Sequence, residues 1–209
     1  MSNSYQIIDE KTWPRAMHCM VFRNSIEPAF CVTFEADITN FRRVVKESGL
    51  SFTLAMVYAV CKCANEVEAF RYRFVDGNVV LFDRINTAFT YLNKGTDLFK
   101  VVNVPMIDGL KEYCKLASKT AEEQKEYFTG SLGNDVFQCS PMPWVTYTHI
   151  SHTNSGKKDN ATPLFDWGKY YEKDGKTLIP VSVQAHHSFV DGLHLSLIHI
   201  SAPTRLQLI

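Results

Sequence analysis

Apolar and polar positions alternate strictly from Phe30 to Ile38. Phe30, Val32, Phe34, Ala36 and Ile38 fall on one side and Cys31, Thr33, Glu35 and Asp37 on the other, the period of a strand buried on one face. Thr39 offers a hydroxyl cap for a helix to Ser48 ended by Gly49, and Ser51 to Val67 reads as a second, more apolar helix with Leu54, Ala55, Tyr58 and Cys61 near one stripe. The runs Phe70 to Val75 and Asn78 to Phe82 flank Asp76-Gly77, a strong hairpin signal. Upstream, Tyr5 to Asp9 predicts a short strand, and Thr12 with Pro14 opens a helix through Phe22, with Arg15 near its start. Downstream, Asn86 to Asn93 predicts a strand and Pro105 to Phe128 a long helix despite Gly109. Val136 to Cys139 and Trp144 to Ile150 predict two strands split by Ser140-Pro141-Met142-Pro143, and Ser151 to Thr162 a polar loop. After the turn residues Asp174 and Gly175, Thr177 to Ala185 is a β-prone run. Helices interspersed with strands, one pair of them a hairpin, predict an α/β two-layer sandwich with a mixed sheet.

Composition narrows the function. The chain has 209 residues, 45% hydrophobic and 21% charged, enough for one domain with a sizeable core. Twenty-two basic residues balance twenty-two acidic ones, so no global field favours nucleic acid or an anionic membrane. Six cysteines are scattered among apolar residues without a Cys-x-x-Cys pair, which fits reduced thiols in a cytoplasmic protein. No apolar run approaches the ~20 residues of a membrane span, and no secretion signal is present. His149 and His152 lie three apart at an expected strand end, where they diverge, so no metal is expected.

The chemistry concentrates in His186-His187-Ser188-Phe189-Val190-Asp191-Gly192, at the end of the last predicted strand. An imidazole titrates near neutrality and, held at a strand end, takes a proton from a hydroxyl and hands it back. A hydrogen-bonded surface turn is the plain alternative for such a His-His-Asp run.

At this stretch the sequence resembles the chloramphenicol acetyltransferase family, whose signature is His-His-x-x-x-Asp-Gly. Further matching blocks are Trp13-Pro14-Arg15, Ala36-Asp37-Ile38-Thr39, Val75 to Val80, Ser140 to Trp144 and Gly168-Lys169-Tyr170, in the family's order. The resemblance implies an acetyl-CoA-dependent O-acetyltransferase in which His187 is the base, its tautomer fixed by its own backbone carbonyl, and Ser140 donates to the oxyanion. It implies an Arg15 to Asp191 ion pair as a brace, and Trp144, Lys169 and Tyr170 on the cofactor side. The acceptor pocket would include Phe22, Val21 and Leu92, with chloramphenicol the foremost named acceptor and another small alcohol or amine the alternative. The resemblance further implies a homotrimer with each active site between subunits. A non-catalytic trimeric binding module of the same fold is the reading from another class.

Two departures from the family bear on the chemistry. Its oxyanion-side threonine falls on Asp166, whose carboxylate would repel a developing oxyanion unless protonated or turned away. Its basic residue before a Phe-Tyr-Pro segment is replaced, since Ser51-Phe52-Thr53-Leu54 stands there. The resemblance also implies a closing helix of three to four turns, but Pro203 would break it and the residues from about Leu195 look like cloning or sequencing read-through. One domain over residues 1–197 and an atypical tail over 198–209 are therefore expected.

Overall fold

The computed structural model describes residues 3–93, 95–129, 133–152, 157 and 159–198. Ten strands and five helices form the expected two-layer arrangement. The strands are β1 (Tyr5–Ile7), β2 (Ala29–Asp37), β3 (Tyr72–Val75), β4 (Asn78–Phe82), β5 (Asn86–Leu92), β6 (Phe99–Val104), β7 (Val136–Cys139), β8 (Leu164–Trp167), β9 (Tyr171–Lys173) and β10 (Lys176–His186). The helices are α1 (Ala16–Arg23), α2 (Thr39–Glu47), α3 (Phe52–Glu66), α4 (Leu110–Glu123) and α5, residues 192–198. The main sheet runs β2-β10-β8-β7-β5-β6, with β9 paired to β10, while β1, β4 and β3 form a small sheet. The main sheet is mixed: β7 is parallel to β5 and β8, and the other pairs are antiparallel.

Local chemistry sets some of the boundaries, but Thr39, expected to cap α2, lies inside it after Ile38, which makes no side-chain cap bond. The Ser51 side chain accepts from the Leu54 N–H at the start of α3. Asp76 and Gly77 take φ of 48° and 83°, so the β3-β4 turn has the primed geometry that matches strand twist. Among the described residues no helix is long and apolar enough to cross a membrane.

The two faces of the main sheet differ. Cys139 lies 3.6 Å, sulfur to sulfur, from Cys61 of α3, so the face carrying Phe137, Cys139 and Phe165 is the helix side. The opposite face carries Gln138, Ser140, Leu164, Asp166, Ser182 and Thr33.

Several expectations are corrected. Trp144 to Ile150 is not a strand but an irregular strap over that second face, tied by Lys169 N–H to the Val145 carbonyl (2.8 Å) and Cys31 Sγ to the Ile150 carbonyl (3.2 Å). The place in the sheet belongs to β8, which its central Asp166 disguised. Gly168 admits the strap, because a Cβ there would stand 2.7 Å from the Val145 carbonyl oxygen. The helix expected from Pro105 to Phe128 is only α4. Gly109, at φ 93°, precedes its first turn. The residues before Pro105 form β6, where Lys100 and Asn103 interrupt the apolar run. A short helix does form at this end: α5 extends past Leu195 to residue 198, and Leu195 and Ile198 are buried in the core. Residues 199–209, with Pro203, lie outside the described residues.

One buried charge ties the small sheet to the strand before Ser140. Arg73 is 1% exposed, and its guanidinium donates to the carbonyls of Phe70, Tyr72, Asn134 and Val136 at 2.7–3.1 Å. Burial depresses its pKa to about 9, and it still carries its charge at neutral pH. Arg73→Met leaves four carbonyls without that donor and is expected to cost about 3 kcal/mol, read as a lower urea midpoint at fixed protein concentration.

Candidate active site

β10 ends at His186 and delivers the two histidines to different surroundings. His186 points into the core, 3% exposed and edge-on to Phe74 at 5.4 Å. Its Nδ1 accepts the Ser188 N–H, and burial lowers its pKa to about 4, so it stays neutral. His187 is half-buried. Its ring stacks on Phe22 at 3.9 Å and 16° and leans on Phe30 at 4.8 Å. Its Nδ1 donates to the Val190 carbonyl at 3.0 Å, which leaves the Nε2 lone pair open, and no hydrogen bond engages Nε2 among the described residues. The tautomer is thus held by Val190. The backbone carbonyl of His187 instead accepts from Arg15 Nη2 at 3.2 Å, correcting the expectation that it fixes its own ring.

Arg15 organises the loop. Seated at the α1 N-cap position with no side-chain cap bond, its guanidinium reaches Asp191 Oδ2 (2.9 Å), the Ser188 carbonyl (2.8 Å) and the His187 carbonyl. Those partners explain a cation where the helix dipole disfavours one. Asp191 also accepts the Leu193 N–H and contacts His194 at 2.9 Å. Burial alone would raise its pKa, but Arg15 and His194 outweigh that and lower it. The brace therefore stays ionised and holds His187 at both ends of its loop.

Ser140 sits at the end of β7, its N–H donating to the Phe165 carbonyl at 2.9 Å. It separates two cavities. The larger, about 440 Å³, is lined by Leu54, Leu92, Phe99, Ser140, Met142 and Trp144 among others. The smaller, about 250 Å³, has Thr90, Gln138, Ser140, His152 and Leu164 in its wall. Trp144 is 66% exposed beside the larger cavity. Lys169 is exposed, and Tyr170 packs on Phe52 (5.6 Å) with the Arg42 guanidinium 4.8 Å above its ring. The spacing of Arg42, on the predicted helix after Thr39, gives no sign of this stacking.

Asp166 is paired. Its Oδ2 lies 2.8 Å from His152 Nε2 and the side chain is fully buried. Burial raises its pKa to about 6, against the pull of His152. His152, expected only as a residue too splayed from His149 to bind metal, is the site residue that sequence reasoning missed. Among the described residues no group of three His, Cys, Asp or Glu side chains could hold a metal ion.

Within one chain the two halves are apart. Ser182 on β10, Asp166 on β8 and Ser140, one residue past β7, lie at one level, and His187 is five residues on from Ser182, one past the end of β10. Five rises along a strand and two strand spacings across give roughly 19 Å. Phe22 and Val21 go with His187, whereas Leu92, Trp144 and Ser140 line the larger cavity. The three expected acceptor-pocket residues are therefore not brought together within one chain.

Residues 3–200 match the sequence profile of the family described as chloramphenicol acetyltransferase. The chain belongs to that family. It is 30% identical over 191 residues to chloramphenicol acetyltransferase 2 of Escherichia coli, covering 90% of each sequence. A solved chloramphenicol acetyltransferase superposes with a TM-score of 0.89 at 29% identity, over 97% of this chain and all of that one. A probable dihydrolipoamide acetyltransferase from Listeria monocytogenes, at TM-score 0.66 and 15% identity, shares the fold. The α/β acyltransferase fold with its mixed sheet thus stands on both the geometry and the family.

Proposed function

We propose that the chain is an acetyl-CoA-dependent O-acetyltransferase with His187 as general base. The observation that carries this is the locked imidazole: Val190 holds Nδ1–H, and Nε2 is left with its lone pair on a wall of Phe22 and Phe30. In the reaction Nε2 takes the acceptor hydroxyl proton as the oxygen attacks the thioester carbonyl. The oxyanion accepts a hydrogen bond from the Ser140 hydroxyl. The C–S bond then breaks, and the departing sulfur takes the proton from the imidazolium.

The roughly 19 Å between His187 and Ser140 is too far for one thioester and one alcohol to bridge, so a complete site needs a second copy of the chain. The homotrimer implied by the family supplies one. Exposed apolar side chains near each half support this: Met20 and Val21 on the helix carrying Phe22, and Trp144 and Val145 after Ser140.

The larger cavity suits the pantetheine arm of the coenzyme. Arg42 stacked on Tyr170, with Lys169 adjacent in sequence, offers cations for its phosphates and stands in for the basic residue missing before Phe52. Arg42 is part exposed, with Glu172 3.6 Å away. Arg42→Ala is therefore expected to raise the KM for acetyl-CoA roughly three- to tenfold with little change in kcat.

The test is thiol release from acetyl-CoA by the purified protein with chloramphenicol and a panel of small alcohols. Release that depends on the acceptor supports the proposal, and none with any acceptor overturns it. One motive of the binding-module reading is weakened, since the carboxylate that spoke against catalysis pairs through Oδ2 with His152.

A further inference from the structure

The acetyltransferase reading gives His152 and Asp166 no role, yet the fold goes to some length to place them. Asp166 pairs in register with Ser182 and, one step beyond the end of the β7-β8 ladder, lies level with Ser140. The side chain is 0% exposed, and its Oδ1 has no hydrogen-bond partner among the described residues. Ser182, its register neighbour on β10, bonds to Thr33 at 2.6 Å. A buried carboxylate with one unsatisfied oxygen is a large desolvation cost. Among the described residues its bonded partner is His152, a quarter exposed, on the wall of the smaller cavity with Ser140.

The pair fixes what the cavity offers. With Nε2–H given to the carboxylate, the other ring nitrogen of His152 keeps a lone pair, and the ring cannot turn without losing the bond. Thr90, Gln138 and Ser140 add two hydroxyls and an amide to the same wall, against Ala88, Val101 and Leu164. Four hydrogen-bonding side chains in about 250 Å³ are a poor seat for an apolar ring, which would strip them of water and return no bonds.

We infer that the smaller cavity receives the acceptor, and that His152, held by Asp166, selects a small hydrogen-bond-donating alcohol that brings a second hydroxyl to the free His152 nitrogen. Ser140 belongs to both cavities, so the acceptor and the thioester arm would meet at its hydroxyl. His152 is a specificity-determining residue and Asp166 a positioning residue acting through it. The inference rests on the acetyltransferase reading.

A matched pair of acceptors tests it: chloramphenicol, and the N-dichloroacetyl aminotriol in which a hydroxymethyl group replaces the nitrophenyl ring. The ratio of kcat/KM for the triol to that for chloramphenicol is measured in the wild type, His152→Leu and Asp166→Asn. His152→Leu is expected to lower the ratio roughly 10- to 100-fold through the acceptor KM, with the KM for acetyl-CoA unchanged. Asp166→Asn moves it the same way by less, since the amide keeps the shape and loosens the ring. Should His152→Leu turn over both acceptors and leave the ratio within twofold, the inference fails and the acetyltransferase reading survives. Wild-type protein that releases no thiol with either acceptor, or with any other alcohol, removes both. The unchanged KM for acetyl-CoA reports that the variants are folded.

Discussion

His187→Ala is expected to lower kcat by about 10⁴-fold, while the KM for acetyl-CoA stays within about twofold. The imidazole touches the proton that moves and makes no contact with the larger cavity by which the coenzyme would be held. Steady-state thiol release at saturating acetyl-CoA measures the effect. The loss is the share of a positioned base, and any rate that remains comes from binding and the oxyanion donor. Arg15→Met offers the contrast. It strips the loop of donors to Ser188 O, His187 O and Asp191 while leaving the imidazole in place, so its loss in kcat is smaller. A drop of less than tenfold in His187→Ala would mean that the proton goes elsewhere.

How far the sequence could be read depends on whether neighbours in the chain carry the signal. The hairpin at Asp76-Gly77, the α3 cap at Ser51 and the alternating strand from Phe30 are set by residues a few positions apart, and each forms as its local chemistry dictates. The strap over Trp144 to Ile150 has β-prone residues but no edge to pair with, because β8 occupies that place. A segment's partner is a property of the whole sheet, and β propensity alone cannot name it. Asp166 shows the same limit in chemistry. Taken singly it is a carboxylate where an oxyanion should form. Its compensation is fourteen residues away at His152, and only folding brings the two within 2.8 Å.

The separation of His187 from Ser140 within one chain has a similar origin. His187 and Ser140 each follow the end of a strand of one sheet, and nothing in their spacing along the chain shows that the register keeps them apart. Each half is accompanied by exposed apolar residues, Val21 near one and Trp144 near the other, surface that a soluble monomer would not be expected to keep. On the proposed trimer, catalysis and assembly are one requirement. A substitution that loosens the subunit contact removes the oxyanion donor from the base without touching either residue.

That requirement makes the second large prediction sharper than a single loss of rate. Ser140→Ala removes one oxyanion donor and is expected to lower kcat by about 10²–10³-fold. If each active site takes its base from one subunit and its serine from the next, the two inactive variants are complementary. Where a Ser140→Ala subunit contributes His187 and its neighbour is a His187→Ala subunit contributing Ser140, the site is whole. With random assembly from equal amounts, about a quarter of the sites of a ring meet that condition. The co-expressed mixture should then run at about a quarter of the wild-type rate, more than tenfold above either parent. Separately assembled parents, mixed without exchange of subunits, supply the baseline. Were both groups to act within one chain, the co-expressed mixture would match that baseline, and the separation read from the sheet register would have to be closed by a movement of the chain itself.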